Sequence, residues 1–200
     1  TWFLNANQLD STSHPISFTS KLVNDGKLST AGTVVSGALL SKNPKNQHWW
    51  ILGATGIYHT TQEHAKIKLS YAFTPELSMH YSLGLWQNKM TSELETYLKD
   101  GKAAPVYAGL INLAGRSYTL GNSDFSNSQN ASRHSAQSLS LRTHRPEPWN
   151  WEIAASRYAY ASDQNRSSLD AAPASFNAGK GRISDMAGTG WSTFTARAMW

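Results

Sequence analysis

The chain has no cysteine among its 200 residues. That absence excludes a disulfide scaffold, a Cys-ligated zinc site and a thiol nucleophile. Charge is also scarce: Asp, Glu, Lys and Arg make up 16% of the residues, against about 25% in ordinary soluble domains. No apolar run approaches the ~18 residues that a transmembrane helix needs. The best stretch, Leu28 to Ser41, is uncharged but short and broken by Ser, Thr and Gly. No secretory leader opens the chain, and residue 1 is Thr rather than Met, so a processed start or an internal fragment is expected. The net charge of +5 and a pI near 9.5 do not imply nucleic acid as a partner, because the Lys and Arg residues are scattered singly.

What is present is uncharged polarity and aromatic rings. The chain holds 26 Ser, 16 Thr and 13 Asn, with 8 Trp and 8 Tyr. Wherever it is regular, the period is two. Within Gln62 to Phe73, Ala65, Ile67, Leu69, Tyr71 and Phe73 share one face, and His64, Lys66, Lys68 and Ser70 share the other. Thr74-Pro75-Glu76 breaks the run with turn chemistry. From Leu77 to Trp86 the alternation resumes, with Leu77, Met79, Tyr81, Leu83 and Leu85 opposing Ser78, His80, Ser82 and Gly84. Similar alternation marks residues 137–143, 149–156 and 193–200, and more weakly 2–7, which gives about six strands. Residues 92–99 (SELETYLK) allow a turn or two of helix.

The connections alternate strictly between long and short. A transmembrane barrel places short turns on the periplasmic side and long loops outside, on strands that read apolar-out and polar-in. The expected fold class is therefore all-β: an antiparallel, up-and-down transmembrane β-barrel, with about six strands of a larger barrel and long extracellular loops. Tyr71, Phe73, Trp149, Trp151 and Trp200 lie near strand ends, as interfacial girdles require. Period two also describes a secreted β-sandwich, and a glycan- or surface-binding module with Trp-rich loops is the alternative. A further alternative pairs the pieces near 33–40 and 104–120 as two more strands, which closes a small barrel ending at Trp200.

Several stretches resemble the barrel region of TonB-dependent outer-membrane receptors: HTTQEHAKIKLSYAFTPEL (59–77), YSLGLWQN (81–88), ETYLKD (95–100), PVY (105–107), DSTSHPISF (10–18) and GTGWST (188–193). The resemblance implies a barrel of about 22 strands with a plugged lumen. Such a receptor imports ferric siderophores or similar chelates across the outer membrane of a Gram-negative bacterium, with energy delivered through TonB. The chain carries no plug and no TonB-contacting box, and six strands fall short of the ~8 that the smallest single-chain barrels use. Residues 1–200 are thus expected to be a partial receptor barrel, touching outer-membrane lipid directly and TonB only through an N-terminal region that is not in this sequence.

No enzyme signature stands out, and neither a cofactor nor a metal site is expected. His59 and His64 flank a strand start, with Glu63 on the opposite pleat face from His64, so no third ligand converges on a zinc geometry. Gly179-Lys180-Gly181-Arg182 lacks the length and the hydroxyl of a phosphate-binding loop and reads as a flexible loop. Candidate ligand contacts lie in the long connections: Trp49, Trp50 and Tyr58; then Tyr97, Tyr107, Arg116 and Tyr118; then Arg166, Lys180 and Arg182. Aromatic faces beside cations suit anionic, aromatic iron chelates. Lys66, Lys68, His80, Arg142, Glu152 and Arg197 are expected to face the lumen.

Overall fold

The computed structural model describes residues 1–146, 148–173 and 181–200. The fold is all-β, and among the described residues the only helical piece is a 3-10 turn at Val23–Asp25. The strands are β1 (Trp2–Thr12), β2 (Ser17–Leu22), β3 (Lys27–Leu28), β4 (Thr33–Val34), β5 (Leu39–Lys42), β6 (His48–Thr74), β7 (Leu77–Thr96), β8 (Gly109–Leu113), β9 (Arg116–Leu120), β10 (Ser128–Thr143), β11 (Asn150–Ser168), β12 (Gly181–Asp185) and β13 (Gly190–Met199). They form a nine-stranded antiparallel sheet and a separate four-stranded sheet.

The large sheet is an up-and-down meander. β1 and β2 lie in line along one edge of β6, with a break at 13–16. β7, β10 and β11 follow in order. β13 and β12 lie in line along the far edge of β11, interrupted at 186–189. Each in-line pair acts as one long strand, so six strand positions cross the sheet, as the alternation predicts. The sheet does not close on itself: β1 and β13 are its two edges.

The turns at one end are tight. Pro75 and Glu76 join β6 to β7, with the Glu76 N–H donating to Thr74 Oγ1 at 3.2 Å. In the connection from β10 to β11, Asn150 Oδ1 accepts the Arg145 N–H at 2.7 Å. Arg145 Nε lies 3.6 Å from Glu76 Oε2, joining the two turns.

At the other end the strands run far past the hydrophobic alternation. β6 has 27 residues, about 90 Å of extended chain at ~3.3 Å per residue. Alternation predicts strands at 62–73 and 77–86, but the ladders continue to His48 and Thr96. The helical turn considered at 92–99 is replaced by the end of β7. The extension of β7 is largely polar on both faces, and that of β6 carries consecutive apolar residues from Trp49 to Leu52, so no apolar period of two marks either, although the backbone ladder holds.

The pieces near 33–40 and 104–120 do not extend the large sheet as two more wall strands. β3, β9, β8 and β4 instead form the small sheet, whose β4–β8 pairing is parallel. Ala114 and Gly115 close the β8–β9 hairpin with φ of 52° and 76°, the left-handed pair that two-residue hairpins favour. The hydrophobic core lies at this end, built from Val35, Leu52, Leu98, Ile111, Leu113, Tyr118, Leu120 and Phe125. It seats the loop structure on the long ends of β6 and β7. Gly53 makes this possible, because a Cβ there would stand 2.6 Å from the Phe125 ring and 2.3 Å from Glu95 O.

Candidate functional site

Register assigns the two faces of the large sheet. Trp2, Leu69, Tyr81, Leu139, Ala155 and Phe194 lie in one cross-strand row. Tyr71, Met79, Leu141, Ile153 and Ala196 form the next row toward the tight turns. Near the turns, Trp149 and Trp200 pair at 5.2 Å and Tyr71 meets Phe73 edge-on at 5.0 Å. These rows carry no charge, yet they are open: Leu69 is 43% exposed, Leu139 43% and Phe194 72%.

The opposite face is polar and more sheltered. Asn88, Ser92, Ser132 and His134 are buried there. Lys66, Lys68, His80, Arg142, Glu152 and Arg197 all share this face by register. Glu152 accepts from Arg197 Nε at 3.0 Å and lies opposite Arg142 on the other side. Lys68 Nζ sits 5.9 Å from the Phe3 ring centre, and His80 Nδ1 is 2.9 Å from Ser70 Oγ.

Midway along this face is a cluster that sequence alternation does not reveal. His134 Nδ1 is 2.8 Å from the Tyr158 hydroxyl, and its Nε2 is 3.2 Å from Asp163 Oδ2. A carboxylate only accepts, so Nε2–H donates to Asp163, and Nδ1, when it carries no proton, accepts the hydrogen bond that the Tyr158 O–H donates. Tyr160 packs edge-on against His134 at 4.4 Å, Trp86 lies at 5.0 Å, and Tyr158 stacks on Trp191 at 4.4 Å. With His64, several of these groups line a hollow of about 490 Å³. The arrangement presents flat rings held by a satisfied polar network, which suits stacking of a ligand ring. The signal that would have found it is register: once the two tight turns are placed, Trp86, His134 and Tyr160 fall in one row.

The loop candidates divide. Tyr118 is in the core, with its hydroxyl donating to Val23 O at 3.1 Å. Arg116 is turned inward, with Nη1 donating to Gly26 O at 2.8 Å. Tyr107 packs edge-on against Phe125 at 5.6 Å and Trp50 lies against the core. The indole N–H groups of Trp49 and Trp50 are buried without a hydrogen-bond partner among the described residues. Tyr97 is half-buried, and its carbonyl lies close to Gly37. Arg166 donates to Gln129 Oε1 at 3.2 Å, and Arg182 is exposed opposite Ser167. Tyr58 is half-buried on the polar face beside Ser92. The structure thus does not gather these residues into one site. Lys180 and Gly179 lie outside the described residues. Beyond the apolar rows, the Ala187 N–H and the Gln164 amide hold the Asp185 carboxyl below its ordinary pKa. No group of three or more His, Asp or Glu among the described residues is placed to hold a metal ion.

Comparison with known proteins adds no relative: no family model, no curated protein and no solved structure matches this chain.

Proposed function

We propose that the chain is part of the wall of a transmembrane β-barrel in the outer membrane of a Gram-negative bacterium, serving a receptor that takes up ferric siderophores or similar chelates. The role is binding and passage rather than catalysis. One observation carries the membrane part of this reading: the sheltered face of the sheet is polar and the open face is apolar. A water-soluble sheet buries its apolar face against a core, and a sandwich covers it with a second sheet. Here the second sheet and the core sit at the long-strand end, leaving Leu, Ile, Phe and Trp side chains uncovered. Lipid covers such a face without a protein partner.

Three features agree. The uncharged rows on β6 run from Ala65 to Phe73, close to the 9–11 residues with which a tilted strand crosses a bilayer. Trp and Tyr side chains mark the turn-side rim. The strands continue well beyond that band on the side of the long connections, as barrels with tall extracellular walls require. The chelate part of the reading rests on the resemblance of 59–77 and 81–88 to receptor barrels, and on the aromatic hollow around His134.

Sidedness tests this. Epitope tags in the full-length protein at Pro75, near Asn46 and near Asn122 are read on intact and on permeabilised cells. The tags at 46 and 122 should label on intact cells, and the tag at 75 only after permeabilisation. Labelling of 75 alone on intact cells would invert the topology, and labelling of none on any membrane-inserted form would remove the reading.

A further inference from the structure

A groove of about 470 Å³ crosses the apolar side of the large sheet, at the border nearest the long connections. It runs between two cross-strand rows. Ala65, Leu85 and Ser135 lie on its side toward the tight turns, and Glu63, Gln87 and Arg133 on its far side. Successive side chains point to opposite faces of a strand, so these rows lie on the face opposite the His134 cluster, and the groove is separate from the aromatic hollow. Ala65 and Ser135 are small, which leaves the space open. Leu85 walls it with an apolar side chain that is 46% exposed.

Two arginines stand at the β10–β11 end of this groove. Arg133 donates from Nε to Gln87 Oε1 at 3.3 Å, which fixes its guanidinium at the rim. Arg157 is exposed on β11, between Gln137 and Ser192 in the ladder. Its row continues through Leu83 and Ile67. Among the described residues it is the one charged side chain in the apolar rows that β6 enters with Ala65 to Phe73. Neither arginine forms an ion pair with a described residue. Glu63 shares the row of Arg133 but is two strands away, roughly 10 Å at sheet spacing.

On the membrane reading, a lone cation among lipid-facing side chains is costly unless an anion meets it, and a long arginine lifts its head toward the membrane surface. From Arg157 that direction leads past Ala159, a small residue beside Ser135, toward Arg133. The two arginines are on neighbouring strands and two rows apart, about 8 Å between Cα atoms at sheet spacings. Two guanidinium groups at that separation can meet around one phosphate, each through charge-assisted hydrogen bonds. Glu63 repels an anion from the other end of the groove, and the apolar wall between suits hydrocarbon.

We infer that this groove is a lipid site: an acyl chain lies against Leu85 and Ala65, and the phosphate of the same lipid's headgroup is held between Arg133 and Arg157. The site rests on the membrane reading of the apolar face and not on the chelate reading.

The test counts lipids bound to the full-length protein by native mass spectrometry from a neutral detergent. The probes are phosphatidic acid, phosphatidylcholine and diacylglycerol with the same acyl chains. One phosphatidic acid per chain should be held more tightly than either of the others. Arg133→Gln and Arg157→Gln should each weaken it about tenfold, as loss of one charge-assisted contact requires. Ala65→Trp, which fills the groove and keeps both arginines, should weaken it severalfold, and Arg145→Gln at the tight turns should leave it unchanged. Circular dichroism and flotation with phosphatidylcholine vesicles report folding and insertion for each variant. The site is overturned, with the membrane reading left standing, if inserted protein holds phosphatidic acid no better than diacylglycerol, if both arginine variants bind as the parent does, or if an equal concentration of inorganic phosphate displaces the lipid. A parent protein that floats with no vesicle removes the membrane reading and the site together.

Discussion

Leu69→Arg should destabilise the assembled wall by roughly 2–4 kcal/mol, the cost of a cation on the lipid face of a barrel near the bilayer midplane. Leu69 lies between Trp2 and Tyr81 in the register, with Leu139 one strand further on, so no anionic partner is at hand. Lys68→Leu, one residue away on the polar face beside Ser82, should change stability little, because that face gives water to the lysine and loses only its contact with the Phe3 ring. Urea unfolding of the full-length protein in lipid vesicles measures both. A Lys68→Leu cost equal to that of Leu69→Arg would contradict the assignment of faces, since side-chain orientation flips with every residue along a strand.

The second large effect is on solubility. The 200-residue chain should aggregate in detergent-free buffer. Trp2, Leu4, Leu69, Leu85, Leu139, Phe194 and Trp200 are all open on the apolar side, and a contiguous apolar face of that kind drives association. Both edge strands add to this. β1 and β13 each pair on one side, and a free row of N–H and C=O groups recruits other chains. Lipid alone does not solve the edge problem, because an unpaired edge inside hydrocarbon leaves its polar row unsatisfied; under the proposed reading, further strands complete the ring. The check is size-exclusion chromatography with and without detergent. A monodisperse chain with a sharp, reversible unfolding transition in plain buffer would remove the membrane reading and favour a soluble sandwich module.

How much of this was legible in the sequence depends on where each strand lies relative to the apolar band. Inside the band, alternation alone gives the strand, the face and the turn: Ala65 through Tyr71, Thr74-Pro75-Glu76, and Leu77 through Leu85 fall as the pattern says, and the register shifts only at the turn, between Ala72 and Thr74. Above it Thr60-Thr61-Gln62-Glu63 carries no apolar period, and further on Trp49 to Leu52 is apolar at consecutive positions because Trp50 and Leu52 meet the core, so the 27-residue length of β6 stays hidden. Register shifts at Thr19/Ser20, Ala54/Ile57 and Arg133/His134 break alternation further. The β8–β9 hairpin was within reach: Leu110 to Leu113 and Ser117 to Leu120 flank Ala114-Gly115, a two-residue turn signal. Of the six polar-face residues inferred from pattern, all share one face. The loop candidates rest on residue type, and type does not separate a half-buried tyrosine such as Tyr58 from a core tyrosine such as Tyr118.

Under the proposed reading, one face of this sheet meets lipid and the other meets water. These 200 residues hold no cysteine, so with any cysteine elsewhere in the full-length protein replaced by serine, single-cysteine variants at consecutive positions 65–71 of β6 each carry one nitroxide label without background. Their collision rates with dissolved oxygen, which concentrates in lipid, and with a water-soluble nickel chelate are measured in the full-length protein in bilayers. Strict alternation is expected, with 65, 67, 69 and 71 favouring oxygen and 66, 68 and 70 favouring the nickel chelate. Nickel accessibility at every position, or alternation with the opposite phase, would contradict it.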